Sequence, residues 1–527
     1  MTPTIGAFPD WLRHRATTAP DRTALIAGTR TWTFAELDAD VSRLARQLAH
    51  AGACPGDRVA TLLNNGPVAA MLPHAALRLG VTLVPLNTRS SAAEVAWLIA
   101  DASPRVVIVD ARTAPLLAAL RDGVVVFPSD TADRTRVNRN WPDLIVLDAS
   151  SDAAAPGEIQ MLRALPEANT DLRHRHDAAH VATLMYTSGT TDRPKGAMLT
   201  VANHWWSAIG SALNLGVRVD DRWLLCLPLF HVGGLSILFR SAIYGTAAIV
   251  HDGFDPAAVN RAIDEDGVTM ISVVAVMLQR MLDARGNQPY PPSLRCVLLG
   301  GGPAPKPLLE RCATLGIPVV QTYGLTETTS QVATLAPEDA LPRLGSVGRP
   351  LYPNELRIAP VDGSDGALDP DAEGEITVRG PVVMAGYANR ADATARAIVD
   401  GWLHTGDIGR IDADGYLYVL DRRDDLIITG GENVYPAEVE AVLLGHPSVA
   451  EAGVVGIADP EWGQRVVAVV RLASAAVPGD EAEILRAHCR SRLGAYKVPR
   501  EFRIVTDPLP RTASGKLQRA VLRQRMT

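Results

Sequence analysis

Cysteine is scarce in this chain, and that scarcity removes two architectures at once. There are five, Cys54, Cys226, Cys296, Cys312 and Cys489, far apart and with no Cys-x-x-Cys pair. Such spacing supports neither a disulfide framework nor a zinc site, and it fits a reducing cytoplasm. A positive field is also missing: 51 Lys and Arg stand against 58 Asp and Glu, a net charge of −7. Broad binding to nucleic acid or to an anionic membrane needs a basic surface that displaces counterions, so both are excluded and any anionic ligand must be held by a local site. Near the N-terminus no apolar stretch has the length of a signal peptide. The most apolar internal run, Val268 to Leu282, is too short to span a bilayer and reads as a buried core helix or a strand–helix junction. No internal repeat is visible.

What is present suits a multidomain α/β enzyme. A chain of 527 residues is too long for one hydrophobic core when a domain takes about 150 residues. Hydrophobic residues at 47% and charged residues at 21% are ordinary globular values, and 43 glycines with 37 prolines imply many turns without low complexity. β-branched runs alternate with helical periodicity, the pattern of α/β layers built on mostly parallel sheets. Thr33 to Glu36 has capping-box spacing, and Leu37, Val41, Leu44, Ala45 and Leu48 then recur on one helical face until Gly52 and Pro55. A strand over Arg58 to Leu63 follows. From about Asp130 to His180 periodicity gives way to polar connection. Asp421 to Asp425, a charged run between two strand-like segments, reads as an exposed hinge. It divides a large, multi-layered N-terminal domain, 1–421, from a small α/β domain, 422–527. In the latter we expect a helix from Pro436, strands over Gly453 to Ile457 and Val466 to Leu472, a helix over Ile484 to Leu493, and a polar tail.

Three turns carry chemistry. The strand-like Val181 to Met185 enters Tyr186-Thr187-Ser188-Gly189-Thr190-Thr191-Asp192-Arg193-Pro194-Lys195-Gly196, whose hydroxyls, backbone N–H groups and lysine can surround polyphosphate oxygens. It is not a Walker A loop, since Pro194 and Gly196 break that pattern, and a plain polar turn is the competing reading. A second turn, Gly300-Gly301-Gly302-Pro303-Ala304-Pro305, follows the strand Cys296 to Leu299, where a flat ligand can approach backbone; a tight structural turn is equally consistent. The third, Gln321-Thr322-Tyr323-Gly324-Leu325-Thr326-Glu327, offers an aromatic face, a hydroxyl and a carboxylate able to hold Mg²⁺, although a lone Glu is more often simply solvated.

Four further segments complete a set: Leu227-Pro228-Leu229-Phe230-His231-Val232-Gly233-Gly234, Trp402-Leu403-His404-Thr405-Gly406-Asp407, the Asp421 to Asp425 hinge, and Pro510-Arg511-Thr512-Ala513-Ser514-Gly515-Lys516-Leu517. In this order, over essentially the whole chain, they resemble the adenylate-forming superfamily of acyl-CoA synthetases, luciferases and peptide-synthetase adenylation domains. Within it the chain is most similar to the o-succinylbenzoate-CoA ligases of menaquinone biosynthesis. The resemblance implies an AMP-forming acid-thiol ligase using ATP, Mg²⁺ and coenzyme A, with a mobile C-terminal domain. A carboxylate attacks the α-phosphate of MgATP and pyrophosphate leaves; the CoA thiol then attacks the acyl-adenylate and AMP leaves. A CoA ligase for another aryl or medium-chain acid is the alternative within the fold. A non-catalytic nucleotide-binding regulatory protein is the alternative from another class. Homo-oligomer formation is left open.

The resemblance also implies roles. Lys516, His231, Thr190 and Glu327 are the catalytic set, with Glu327 and Thr190 on Mg²⁺. Nucleotide contacts fall to Thr187, Ser188, Gly189, Thr190, Thr191, Lys195, Gly301, Gly302, Gln321, Thr322, Tyr323, Gly324, Thr326, Asp407, Arg422 and Lys516. Asp407 would accept from ribose hydroxyls. His231, Gly300 and Gly301 would line the acyl pocket, although a His in such an apolar setting is by itself more often a core residue. Asp424 would be the hinge, and Gly430, Gly431 and Glu432 the CoA side. The aryl carboxylate of o-succinylbenzoate needs its own donor, for which Ser346 is preferred, with a plain turn hydroxyl as its competing reading, and Arg240 is the cationic alternative. One departure stands out: the family's phosphate loop usually has Gly where this chain has Asp192, so either Asp192 points to solvent or ATP affinity falls.

Overall fold

The computed structural model describes residues 6–116, 145–148, 160–162, 165–187, 194–301, 306–340, 342–343, 345–360, 368–422, 427–434, 436–473, 480–510, 517 and 519–526. Two large sheets organise the first four hundred residues. In the seven-stranded one the order is Lys195–Thr200, Val181–Thr187, Thr82–Pro85, Arg58–Leu62, Val106–Val109, Ile145–Asp148 and Gln160–Met161, parallel except at the Lys195–Thr200 edge. The nine-stranded sheet runs Arg349–Pro350, Ala333–Thr334, Val319–Tyr323, Cys296–Leu299, Met270–Val273, Arg222–Leu225, Ala247–Val250, Thr23–Ala27 and Arg30–Thr33. Its middle strands are parallel and buried on both faces, which is why they read as unbroken apolar runs rather than alternating ones.

Local signals in the sequence account for the elements that flank these sheets. The helix Phe34–His50 starts on a complete capping box: Glu36 N donates to Thr33 Oγ1 at 3.2 Å and Thr33 N to Glu36 Oε2 at 2.9 Å. Such a cap contributes about 1 kcal/mol. Its apolar face, including Leu37, Val41, Leu44 and Leu48, enters the main core. The apolar run from Val268 resolves as a junction, the strand Met270–Val273 turning at Val274 into the helix Ala275–Arg285.

A third sheet, Glu355–Ala359, Gly374–Arg379, Trp402–Ile411 and Ile398–Val399, pairs on one side with Leu417–Arg422. Beyond it a separate five-stranded sheet holds Glu432–Val434, Ile427–Thr429, Gly463–Leu472 and Val449–Asp459, with Glu501–Val505 parallel to Gly463–Leu472. Strand alternation splits its two faces. Val466, Ala468 and Val470 pack with Val439, Leu443 and Leu485 from the helices Pro436–Leu444 and Glu481–Arg490; Val467 and Val469 meet Leu509 and Leu522 behind. The second of those helices begins and ends three residues earlier than its periodicity suggests, because Glu481 and Glu483 occupy its first turn and Leu493 packs from beyond its end.

Candidate active site

Parallel strands of the nine-stranded sheet end together, and the segments leaving Leu225, Val273, Leu299 and Tyr323 border one cavity of about 1490 Å³. A crevice at the carboxyl ends of parallel strands is where α/β sheets bind ligands, since the loops there converge without closing the ladder. From the phosphate-loop region Thr187 and Lys195 reach the cavity; Gly300, Gly301, Thr322, Gly324, Thr326, Glu327, His231, Arg240 and Asp407 also line it. Its far wall comes from the C-terminal sheet through Gly430, Gly431 and Glu432.

Glu327 and Asp407 are each held by a tyrosine. Glu327 Oε1 accepts from Tyr387 Oη at 2.8 Å and from Thr187 Oγ1 at 3.4 Å. Asp407 Oδ2 accepts from Tyr323 Oη at 2.7 Å, with Asp407 only 6% exposed. Among the described residues no cluster of three or more His, Cys, Asp or Glu is placed to enclose a metal. One oriented carboxylate beside the strand that enters the Ser/Thr/Gly-rich turn fits a hard cation that keeps water and takes most of its oxygens from a bound ligand. Gly324 cannot be replaced without rearrangement, since a Cβ there would lie 1.6 Å from the Ser330 carbonyl oxygen.

His231 stands immediately before the helix Val232–Tyr244, and its Nε2 lies 3.0 Å from Glu432 Oε2. Arg89 pairs with the other oxygen of Glu432. Burial alone would raise the Glu432 carboxyl, but His231, Arg89 and Lys497 together hold it below its ordinary value. The turn that delivers Glu432 has Gly430 and Gly431 at φ +59° and +81°, and a Cβ on Gly431 would sit 2.9 Å from Val274. Nearby, Lys497 Nζ donates to Glu94 Oε1 at 2.9 Å and to Glu438 Oε1 at 2.7 Å, and Asn87 donates to Tyr496 Oη at 3.0 Å. Through these contacts the two halves of the chain share one site.

Arg240 is 1% exposed and lies in the cavity wall. Its Nη2 donates to Ser207 Oγ at 3.2 Å, its guanidinium carbon is 5.5 Å from the Trp223 ring centre, and its Nε has no hydrogen-bond partner among the described residues. Burial draws its pKa below the ordinary arginine value, with Tyr244 acting weakly the other way.

Ser346 requires a correction. Its side chain is fully buried and committed: the hydroxyl donates to the Leu417 carbonyl at 2.9 Å and accepts from Gly348 N at 3.0 Å. A turn hydroxyl satisfied in this way has nothing left for a substrate carboxylate. Gln321 also turns from the cavity, donating to the Ser346 carbonyl at 3.0 Å, and Tyr323 backs Asp407 instead of facing the space. Arg422 ends a strand whose register sets it opposite Asp407. Ser188, Gly189, Thr190, Thr191, Asp192, Gly302, Asp424 and Lys516 lie outside the described residues. Sequence reasoning did not single out Arg89, Gln331, Tyr387 or Lys497. Arg89, Tyr387 and Lys497 belong to the site through partners distant in the chain, Gln331 lines it without one among the described residues, and no local pattern marks any of them.

Residues 12–388 match the AMP-binding enzyme family and residues 438–516 the AMP-binding enzyme C-terminal domain. The chain is 49% identical over 517 residues to the 2-succinylbenzoate–CoA ligase of Geobacillus kaustophilus (strain HTA426), covering 98% of each. Among solved structures it is similar to a double mutant of the o-succinylbenzoate CoA synthetase of Bacillus subtilis bound with a product analogue, with a TM-score of 0.86, 42% identity and 98% of each chain covered. The same Bacillus subtilis enzyme in complex with its acyl-adenylate intermediate gives a TM-score of 0.71, again at 42% identity with 99% of each chain covered.

Proposed function

Since the chain belongs to the AMP-binding enzyme family, we propose that it joins 2-succinylbenzoate to coenzyme A through an acyl-adenylate, consuming ATP and releasing AMP and pyrophosphate. ATP, Mg²⁺ and coenzyme A are the accompanying reactants and metal. The observation that carries the choice of acid is Arg240. An arginine buried in the wall of a cavity with no carboxylate partner among the described residues is costly to fold, because a desolvated charge demands an opposite one. A substrate with a second carboxylate supplies it; a simple fatty or aryl monoacid does not.

In the first half-reaction the succinyl carboxylate attacks the α-phosphate. Negative charge gathers on the phosphoryl oxygens, and preorganised donors and cations lower that barrier most. Thr187 and Lys195 supply such groups from the described part of the phosphate loop, and the family resemblance gives Lys516 the α-phosphate. Mg²⁺, held through Glu327 and by resemblance Thr190, would neutralise charge on the phosphates. Asp407, held by Tyr323, would by resemblance accept from ribose hydroxyls. In the second half-reaction the CoA sulfur attacks the acyl carbon and AMP departs. The Gly430–Gly431 turn, free of side chains, packs closely against Val274 and Trp462 on the CoA side while Glu432 holds the turn to His231 and Arg89. The higher similarity to the product-analogue complex than to the adenylate complex supports reading this domain arrangement as that of the second half-reaction. The domain division near 421–425 and a working place in the cytoplasm belong to the same proposal. Among the described residues no helix is long and apolar enough to cross a membrane, and all five cysteines are free.

The test is a panel of mono- and dicarboxylic acids with ATP and CoA, following AMP and thioester, repeated with Arg240→Met. We expect the wild type to favour 2-succinylbenzoate over the analogue lacking the aryl carboxylate by about 10²-fold or more in kcat/KM, and the variant to lose that preference. Turnover confined to unrelated acids would remove 2-succinylbenzoate. An unchanged preference in the variant would remove Arg240 from its recognition.

A further inference from the structure

A second polar side chain in the same wall has no role in the reading above. Gln331 is 2% exposed and lines the cavity with Arg240, and neither its Nε2 nor its Oε1 has a hydrogen-bond partner among the described residues. A buried primary amide has two N–H donors and a carbonyl acceptor, and leaving them unmade is among the more costly features a folded chain can retain. A leucine would serve packing better, so a purely structural purpose does not account for the residue.

The backbone around it is arranged at a cost as well. Thr329 and Ser330, neither of them glycine, take φ values of +53° and +88°. Left-handed conformations at non-glycine residues are uncommon, and they persist where surrounding structure enforces them at functional positions. Here the turn folds Ser330 and Gln331 back against Gly324, so closely that any Cβ on Gly324 would lie 3.0 Å from Gln331 Cα. A short relay ties the turn to the cation: Arg240 Nη2 donates to Ser207 Oγ, and Ser207 Oγ donates to the Thr329 carbonyl at 2.7 Å. Arg240 and the turn that presents Gln331 are therefore positioned by the same serine.

From this juxtaposition we infer that Gln331 is a specificity-determining residue whose Nε2 donates to the second, aryl carboxylate of the acid that Arg240 neutralises. The inference rests on the dicarboxylate reading of the substrate and adds a neutral donor to the cation. The two groups divide the work: the guanidinium supplies the charge, and the amide, planar and fixed by the turn, supplies direction.

The experiment compares wild type, Gln331→Leu and Gln331→Glu on 2-succinylbenzoate and on 4-oxo-4-phenylbutanoate, the same skeleton without the aryl carboxylate. Melting temperatures are recorded for all three proteins. Loss of a hydrogen bond to a charged group predicts that Gln331→Leu lowers kcat/KM for the diacid by about 10- to 100-fold while the monoacid changes by less than about twofold. Gln331→Glu, nearly isosteric but of like charge to the substrate, should cost the diacid more and leave the monoacid nearly unaffected. The melting temperature of Gln331→Leu should stay level or rise, since an unpaired amide is exchanged for an apolar group. Equal losses on both acids, in either variant, would overturn the assignment of Gln331 while wild-type preference for the diacid left the substrate reading standing. A wild type that prefers the monoacid would overturn both.

Discussion

Replacing Glu432 with glutamine isolates one contact between the two halves of the molecule. The substitution removes a charge while keeping the shape and an oxygen able to accept from His231, so the Gly430–Gly431 turn is left in place. Glu432 has a side chain 6% exposed, whereas those of Arg89 and His231 are 49% and 44% exposed. Solvent around Arg89 and His231 discounts each contact toward the surface range of about 0.2–1 kcal/mol. The buried carboxylate raises the figure, because hydrogen bonds to a desolvated charge contribute about 1.5–3 kcal/mol. About 2 kcal/mol for the set converts to a shift of about 30-fold in the equilibrium between this domain arrangement and others. Measured separately, thioester formation from supplied acyl-adenylate and CoA should slow by about 10- to 30-fold in Glu432→Gln when domain closure limits the rate. Pyrophosphate exchange, which reports adenylation, should stay within about twofold. Arg89→Met should act in the same direction and more weakly. Equal loss in both half-reactions, or thioester formation at the wild-type rate, would refute the view that this contact belongs to the second half-reaction alone.

Two other perturbations address the neighbouring charge cluster. Lys497→Met leaves Glu94 and Glu438 without the ammonium between them, and breaking a buried ion cluster in this way should cost about 3–5 kcal/mol in urea unfolding; adding Glu438→Gln to the variant should recover part of that loss. Burial raises the Glu438 carboxyl above its ordinary value, Lys497 opposes that, and Glu94 reinforces it. The proton is thus held more tightly in the folded form, and the stability it contributes is full below the ordinary glutamate range and lost as pH rises through the raised value. Unfolding midpoints followed upward from about pH 4 should therefore decline more steeply in the wild type than in Glu438→Gln, and parallel curves would show that this group does not titrate in the window.

How much of this was legible in the chain depends on the distance over which each signal acts. The capping box of Phe34–His50 and the strand entering the phosphate loop are written in neighbouring residues, and the apolar run from Val268 carried its strand and helix in the right order. At Ser346 the turn reading holds, and the string could not decide it because a hydroxyl between glycines looks the same whether it faces a ligand or closes a turn on Leu417, 71 residues away. The Arg89–Glu432 pair joins positions 343 residues apart, and Lys497 meets Glu94 across 403. No periodicity encodes such meetings; only the packing of the C-terminal sheet against the cavity creates them. Nothing in the string Thr329-Ser330-Gln331 shows that the amide of Gln331 is left without a partner among the described residues.

The acidic balance of the chain sharpens the last point. A net charge of −7 repels ATP, CoA and a dicarboxylate alike, so the site must overcome its own protein's field within a few ångströms. It does so by occupying its carboxylates internally. Glu327 is held by Tyr387, Asp407 by Tyr323, Glu432 by His231 and Arg89, and Glu375 by His404 at 2.9 Å and Gly406 N at 2.8 Å. Each of these acceptors has its direction fixed before substrate arrives. Lys195 and Arg240 have no carboxylate ion-pair partner among the described residues, which leaves them to incoming anions. Selectivity for anionic substrates on an acidic protein then follows from which charges are paired inside the site, and a substitution that frees one of those carboxylates should weaken substrate binding even where it touches no substrate atom.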